Sequence, residues 1–158
     1  MIIYLIDIDG TMFNNHQREH LIPKNKECSK SWLPFNQAHV DDTPRHLVID
    51  LVKTLISSGK NVKFCTSRST PCRETTLIQL HKYLNSSRYS LIMREIDDNR
   101  SSVEYKREVI RQLSDHQIIA IDDDPKVCQM MRDEGVTVLQ VDSHCVSVTC
   151  SGVDNDTE

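Results

Sequence analysis

The sequence has no apolar run long enough to cross a bilayer, so no membrane-spanning helix is expected. Its start, Met1 to Ile8, is apolar, but it lacks a basic leader and a small-residue cleavage site and runs straight into Asp7 and Asp9. It reads as a buried strand. None of the six cysteines (Cys28, Cys65, Cys72, Cys128, Cys145, Cys150) forms a C-x-x-C pair, and their spacings fit no zinc module. Cys65 and Cys128 sit in apolar patterns and read as core thiols, so a reduced, cytoplasmic compartment is expected. Internal repeats and low-complexity segments are absent as well.

A basic excess is also missing. The 19 Lys and Arg face 23 Asp and Glu, for a net charge of -4. Every Lys and Arg precedes Asp142, whereas Asp142, Asp154, Asp156 and Glu158 close the chain, so residues 1–141 are neutral, 19 against 19. A neutral body excludes a protein that grips nucleic acid by bulk electrostatics.

What is present suits one folded domain. A chain of 158 residues, 38% hydrophobic and 27% charged, can bury one complete core. The domain is placed at residues 1–142, with 143–158, rich in Ser, Thr, Asp and Val, read as a loose acidic tail. Ile2–Ile8 is a near-continuous apolar run that suits a central strand buried on both faces. From Thr11 to Val40 the pattern dissolves into a long loop with room for one short helix, anchored only by Trp32 and Phe35. Asp42-Thr43-Pro44 then supplies an N-cap and a first-turn proline for a helix carrying Leu47, Val48, Leu51, Val52 and Leu55 and stopped by Gly59. Strands are expected at Asn61–Cys65, Ser90–Met93, Gln117–Ile121 and Val136–Val141. Helices are expected at Pro71–Leu84 (Leu77, Leu80, Leu84), Ser102–Leu113 and Pro125–Glu134. This alternation predicts a doubly wound, Rossmann-like α/β fold: a parallel sheet of about five strands with helices on both faces.

Ligands in such folds bind at the carboxyl ends of the strands. The first strand ends in Asp7-Ile8-Asp9-Gly10-Thr11, the second in Thr66-Ser67-Arg68, and a later one in Asp122-Asp123-Asp124. Five acids around one crevice would repel one another strongly, and a hard divalent cation such as Mg²⁺ would relieve this. Asp124 alone reads as a helix N-cap before Pro125. With a metal present a carboxylate can attack phosphorus, and Asp7 is the best-placed nucleophile. Asp9 is close enough to serve as general acid and then base, which requires a raised pKa in the first step. Thr66, the Ser67 amide and Lys106 are candidates to stabilise the phosphoryl oxygens.

Asp7-x-Asp9-Gly10-Thr11, Thr66, Lys106 and Asp122-Asp123, in this order, resemble the four motifs of the haloacid dehalogenase-like phosphatases. The first motif alone would arise by chance on the order of once in a thousand chains of this size. A narrower resemblance, to the 3'-phosphatase domain of phage-type polynucleotide kinase/phosphatases, is carried by His16-x-Arg18-x-His20-Leu21, Trp32, Phe35, Asp42-Thr43-Pro44, Met93-Arg94-Glu95, Asn99-Arg100 and Lys106-Arg107-Glu108. Two departures stand out. There is no Gly-x-x-x-x-Gly-Lys-Ser/Thr, so no kinase half is expected, and Thr66-Ser67-Arg68 stands where Ser-Gly-Arg or Thr-Gly-Arg is usual.

The resemblance implies a Mg²⁺-dependent phosphomonoesterase that removes 3'-phosphate from DNA or RNA ends through an aspartyl-phosphate. It makes Asp7 the nucleophile and Asp9 the acid/base. Thr66, Ser67, Arg68, Lys106, Arg94 and Arg18 become phosphate or substrate ligands, and Asp7, Asp9, Asp122 and Asp123 the metal site. Arg68 and Arg94 match family arginines toward the flanking nucleotide, with a solvated surface role as the bland reading. For His16, Arg18 and His20 that reading is a polar loop; for Trp32 and Phe35 it is a hydrophobic anchor. Neither insert, Met12–Val40 or Ser67–Tyr105, is long enough for a large cap domain, which favours polymer ends over enclosed small molecules. The rival readings are a nucleotidase that folds Met12–Val40 over a free nucleoside monophosphate, a protein phosphatase, and an inactive binding module of the same fold.

Overall fold

The computed structural model of the chain describes residues 1–142. The expected tail, with Cys145 and Cys150, lies outside the described residues. Five parallel strands form the main sheet: β1 (Ile2–Ile6), β4 (Asn61–Ser69), β5 (Ser90–Arg94), β6 (Gln117–Asp122) and β7 (Thr137–Gln140). Their order is β5-β4-β1-β6-β7. The chain winds outward from β1 through β4 to β5, then crosses back to β6 and β7 on the other side. The switch in direction falls beside β1, which opens a crevice at the carboxyl ends of β4, β1 and β6.

Side chains alternate across the sheet. Ile6, Val62, Phe64, Leu91 and Ile121 point to one face, where α2 (His46–Ser57) contributes Ile49, Val52 and Ile56 and α3 (Arg73–Leu84) contributes Leu80 and Leu84. Leu5, Cys65, Ile118 and Ala120 point to the other, against Tyr105, Val109 and Ile110 of α4 (Ser102–Gln112) and Val127, Met130 and Met131 of α5 (Pro125–Asp133). The doubly wound α/β fold expected from the sequence is the observed one. Cys65 and Cys128 are core thiols as expected, and burial pushes them up to about 12 and about 11. No helix among the described residues is long and apolar enough to cross a membrane.

Three local expectations fail. The first strand stops at Ile6, two residues early, because Gly10 turns the chain at φ 82° and its amide bonds back to the Phe13 carbonyl at 2.8 Å. Asp42-Thr43-Pro44 does not cap a helix. Thr43–Pro44 instead forms a two-residue strand, β3, antiparallel to β2 (Phe13–Asn14), and α2 begins only at His46. That later start turns Ile49 and Ile56 inward and leaves Leu47 88% and Leu51 44% exposed. On α3, likewise, the core side is Thr76, Gln79, Leu80 and Leu84, while Leu77 faces outward at 38%. The loop from Thr11 contains the one short helix expected of it, α1 (Leu33–Gln37), together with 3₁₀ turns at His16–Leu21, Ser29–Trp32 and Ala38–Asp41.

Candidate active site

The end of β1 meets the end of β6 through register pairs running up to Ile6 and Ile121, and the Asp7 amide donates to the Ile121 carbonyl at 2.9 Å. This places Asp7 and Asp122 side by side, both buried. Helix α4, started by a full capping box between Ser101 and Glu104, aims Lys106 at the pair. Its Nζ donates to Asp7 Oδ1 at 2.7 Å and to Asp122 Oδ2 at 2.6 Å. Asp123 completes the group: oxygens of Asp7, Asp122 and Asp123 lie within 4.8 Å of one another.

One cation cannot offset three carboxylates. Burial, together with the charges of Asp122 and Asp123, holds Asp7 well above the usual carboxylate range despite Lys106. Burial and Asp122 push Asp123 up to about 6. Lys106 is held above its ordinary value, because the two carboxylates outweigh the burial that would lower it. The remaining bonds fix the carboxylates in place. Thr11 Oγ1 donates to Asp123 Oδ1 at 3.0 Å, and the Asp124 amide donates to Asp122 Oδ1 at 3.1 Å. Glycine suits position 10: a Cβ there would sit 2.2 Å from Asp123 Oδ2 and displace that carboxylate, and its φ of 82° is one that side chains rarely adopt. Asp124 caps α5 through the Lys126 amide at 2.8 Å, as its sequence context suggested.

Asp9 stands apart from this group. Its carboxylate accepts from Arg68 Nε at 3.0 Å and Nη2 at 2.8 Å, and also from Arg18 Nη2. The raised pKa that a general acid requires is not what its surroundings give Asp9 here. Burial alone would raise it, but the guanidiniums of Arg68 and Arg18 win and hold it below the usual carboxylate range. Its carboxylate therefore belongs to an arginine pair, whereas Asp7, Asp122 and Asp123 form the acidic cluster that can hold a metal.

Both arginines are almost fully buried, 2% exposed at Arg18 and 0% at Arg68, so neither is a surface residue. Arg18 binds Asp42 through Nε at 2.9 Å and Nη2 at 2.7 Å, donates from Nη1 to the Phe35 carbonyl at 2.8 Å, and lies over the Phe35 ring at 4.1 Å. Trp32 packs edge-on against Phe35 at 5.5 Å, so the two aromatics anchor the loop. Arg68 reaches Gln79 Oε1 at 2.9 Å and Thr76 Oγ1 at 3.2 Å on α3. His16 and His20 are exposed. Sequence reasoning missed Asp42, Thr76 and Gln79 as members of this network. The available signal was the pair Thr76 and Gln79, polar residues one turn apart on the core side of an otherwise apolar helix face.

Thr66 and Ser67 close the crevice from β4. Thr66 is fully buried and its Oγ1 accepts from the Arg68 amide at 3.2 Å. The strand pairing shifts between Thr66 and Ser69, a bulge that re-aims Ser67 and Arg68. Ser67 occupies the glycine position without a positive φ, since the non-glycine residue with one among the described residues is Asn85. Its hydroxyl donates to Ser102 Oγ at 3.0 Å. Arg94, at the end of β5, lies beside it, with Nη2 donating to Ser67 Oγ at 3.5 Å.

Known proteins share this arrangement of strands. The family model for the polynucleotide kinase PNKP phosphatase domain matches residues 2–144. No curated protein matches the chain. Among solved structures, a chain of the Pnkp1/Rnl/Hen1 RNA repair complex superposes with a TM-score of 0.69 at 24% identity, over 89% of this chain and 42% of that one. The class C acid phosphatase of Bacillus anthracis with tungstate bound gives 0.58 at 15%, over 92% and 68%. The D,D-heptose 1.7-bisphosphate phosphatase of B. bronchiseptica complexed with magnesium and phosphate gives 0.52 at 12%, over 87% and 79%. At these identities the likeness is one of fold, and the chain spans less than half the length of the repair-complex chain. The family match extends from the Asp7 strand past the Asp122-Asp123 strand end, and on it the chain belongs to the phosphatase domains of the polynucleotide kinase PNKP family, within the haloacid dehalogenase-like phosphatases.

Proposed function

We propose that the chain is a Mg²⁺-dependent phosphomonoesterase that removes 3'-phosphate from polynucleotide ends through an aspartyl-phosphate on Asp7. The observation that carries this reading is the placement of Asp7 at a strand end between Lys106 and the acids Asp122 and Asp123. Their hard oxygen donors, and a cradle kept open by the missing Gly10 side chain, fit Mg²⁺. Bound there, the ion would screen the acids and polarise the phosphoryl group. In the first step an Asp7 carboxylate oxygen forms a bond to phosphorus while the bond to the 3'-oxygen breaks. Lys106 stabilises the charge on the phosphoryl oxygens, with Thr66 and the Ser67 amide as further donors. In the second step water attacks the aspartyl-phosphate and phosphate leaves. Asp9, ionised beside its arginines, is suited to accept the water proton. To protonate the leaving 3'-oxygen in the first step, Asp9 must be released by Arg18 and Arg68 and take up a proton from solvent, which it then passes to that oxygen.

The loop insert supports access for a polymer end. None of its helical segments exceeds the six residues of His16–Leu21, and it is tied to the domain through Arg18, which binds Asp9 beside β1 as well as Asp42. The test is phosphate release with Mg²⁺ from oligonucleotides bearing 3'-phosphate, 5'-phosphate or cyclic-phosphate ends and from free mononucleotides. The 3'-phosphorylated oligonucleotide is expected to be the best substrate. A preference for mononucleotides would make the chain a nucleotidase and overturn the reading.

Mg²⁺ binding carries a pH signature. Asp123 has an ordinary value of 3.8 and keeps its proton to about 6 in the folded chain. Between those values the folded state binds more protons than the unfolded one, so metal-free stability falls as pH rises. Mg²⁺ competes with that proton. The rise in melting temperature on adding Mg²⁺ is therefore expected to be large above about pH 6 and to shrink below it, in thermal denaturation against a chelator control. An increment independent of pH would contradict the metal assignment.

A further inference from the structure

Under the proposed function two separate elements must reach one phosphoryl group. Lys106 comes from α4, whereas Thr66 and the Ser67 amide come from the bulge at the end of β4. Strand pairing fixes β4 against β1 and β5, but it carries nothing to α4. Tyr105, Val109 and Ile110 hold α4 on the sheet by apolar packing, which is non-directional and leaves room for small slides of a helix along its axis.

A directional tie exists at one place. The Ser67 hydroxyl donates to Ser102 Oγ at 3.0 Å, and both residues are half-buried. No other hydrogen bond among the described residues joins β4 to α4. Ser102 is the first residue of α4, directly after the Ser101 cap, and Lys106 follows one turn later on the same side of the helix. The side of α4 that meets Ser67 is therefore the side that carries Lys106. Arg94 braces the joint: its Nη2 donates to Ser67 Oγ at 3.5 Å, and its guanidinium lies over the ring of Tyr105, the residue before Lys106. The bonds from Lys106 to Asp7 and Asp122 orient the tip of the lysine, whereas the tie sets the helix from which that flexible side chain reaches.

This joint is particular to the present sequence. Ser67 stands where the resembled phosphatases have glycine, and glycine has no hydroxyl to make the bond. The backbone at Ser67 has no positive φ, so the side chain is gained without strain in the strand.

We infer that Ser67 is a positioning residue: its bond to Ser102 sets where α4 stands against the β4 bulge, so that the Lys106 ammonium and the Ser67 amide converge on one phosphoryl group. The hydroxyl acts through Lys106 and does not touch substrate. This rests on the phosphatase reading and is indifferent to the leaving group.

Two measurements test it on the full chain. The first is turnover of Ser67→Ala, Ser102→Ala and the double variant on a 3'-phosphorylated oligonucleotide and on an aryl phosphate, which has no nucleotide. Ser67→Ala keeps the backbone amide and removes only the hydroxyl. A misplacement of about 1 Å can cost ~10²-fold in rate. Each single variant is expected to lower kcat ~10-fold, equally for both substrates and with little change in KM, and the double variant to be no worse than either single. Full kcat in Ser67→Ala would overturn the inference, as would losses that multiply in the double variant. A loss in Ser67→Ala that Ser102→Ala does not share would overturn it by placing the hydroxyl on the phosphoryl group. A loss confined to the oligonucleotide would do so by placing it on the flanking nucleotide.

The second measurement needs no turnover. In denaturant unfolding each single variant is expected to lower the midpoint, since one hydroxyl loses its partner, and the double variant to lower it no further than the larger single. Midpoints that fall additively would overturn the tie even in an active phosphatase. Coupled midpoints in a protein that releases no phosphate from either substrate would uphold the tie between β4 and α4 while the phosphatase reading falls.

Discussion

Asp7→Asn is expected to eliminate phosphate release altogether. The amide keeps the shape of the carboxylate, and Lys106 still has an oxygen to donate to, so the fold and the crevice are preserved. What disappears is the anionic oxygen that bonds to phosphorus, and no neighbour can replace it. Asp122 and Asp123 sit on β6 and its outgoing loop and not at the end of β1, while Asp9 is turned into the arginine pair. A loss of one nucleophile is therefore a loss of the whole two-step route. Stability should move the other way. Asp7 is a buried acid held well above its usual range by burial and by its acidic neighbours, so removing its charge relieves repulsion in the metal-free chain. Turnover in a Mg²⁺-containing assay and melting temperature in chelator check the two halves separately.

Lys106→Met is expected to have the largest effect on stability. The substitution keeps the length of the side chain and removes the cation that answers Asp7 and Asp122 at 2.7 and 2.6 Å. Breaking a buried pair by deleting one partner costs about 3–5 kcal/mol, because the remaining charges stay buried and uncompensated. Asp7, Asp122 and Asp123 would then have no cation on the protein between them, and the acids can relieve this only by taking up protons. The loss should accordingly be greatest at neutral pH and diminish in acid, where the carboxylates are already protonated. Mg²⁺ should recover part of it, since the ion supplies positive charge to the same oxygens. Denaturant unfolding with and without Mg²⁺ across pH measures this. Catalysis should fall as well, because the phosphoryl oxygens lose their fixed cation.

The two substitutions also show which parts of the molecule can be read from sequence. Asp7, Lys106, Asp122 and Asp123 are separated by long stretches of chain, yet each lies at the end of a segment whose own pattern is plain. Ile2–Ile6 is a continuous apolar run, Ser101–Glu104 a capping box, and Asp124-Pro125 a helix start. Local pattern fixes each element, the alternation of elements fixes the parallel sheet, and the sheet gathers the strand ends. The sites that follow from strand ends were therefore legible.

Residues whose partners lie far along the chain were not. Asp42 precedes Thr43-Pro44 and carries the local signature of an N-cap, but Arg18 draws it inward and Thr43–Pro44 pairs with Phe13–Asn14. An ion pair between two loop residues leaves no periodic trace. The same arginines set the acidity of Asp9 out of sight of the sequence: a short Asp-x-Asp motif shows two acids, not the two guanidiniums that meet the second one. On α2, Leu47, Val48 and Leu51 repeat at helical spacing as well as Ile49, Val52 and Ile56 do, and only the true start at His46 decides which stripe meets the sheet. Arg94 was visible as a candidate, but its burial without a direct ion pair to any described carboxylate is a property of the packed structure.

Residues 1–141 balance at 19 against 19, yet Asp7, Asp9, Asp122, Asp123 and Asp124 are five of those acids and are committed to the crevice or to a helix cap. The remaining 14 acids face 19 basic residues. A local hold on the end of a strand is compatible with that balance, whereas tight binding along a duplex is not.

Asp7 is expected to carry the phosphoryl group between the two steps. The chain should be mixed with Mg²⁺ and an oligonucleotide labelled in its 3'-phosphate, quenched in acid during turnover, and cleaved into peptides. Label is expected on the peptide containing Asp7, lost in Asp7→Asn and discharged as free phosphate when the quench is delayed. Full turnover with no labelled protein at any time, or label on a peptide lacking Asp7, would contradict it.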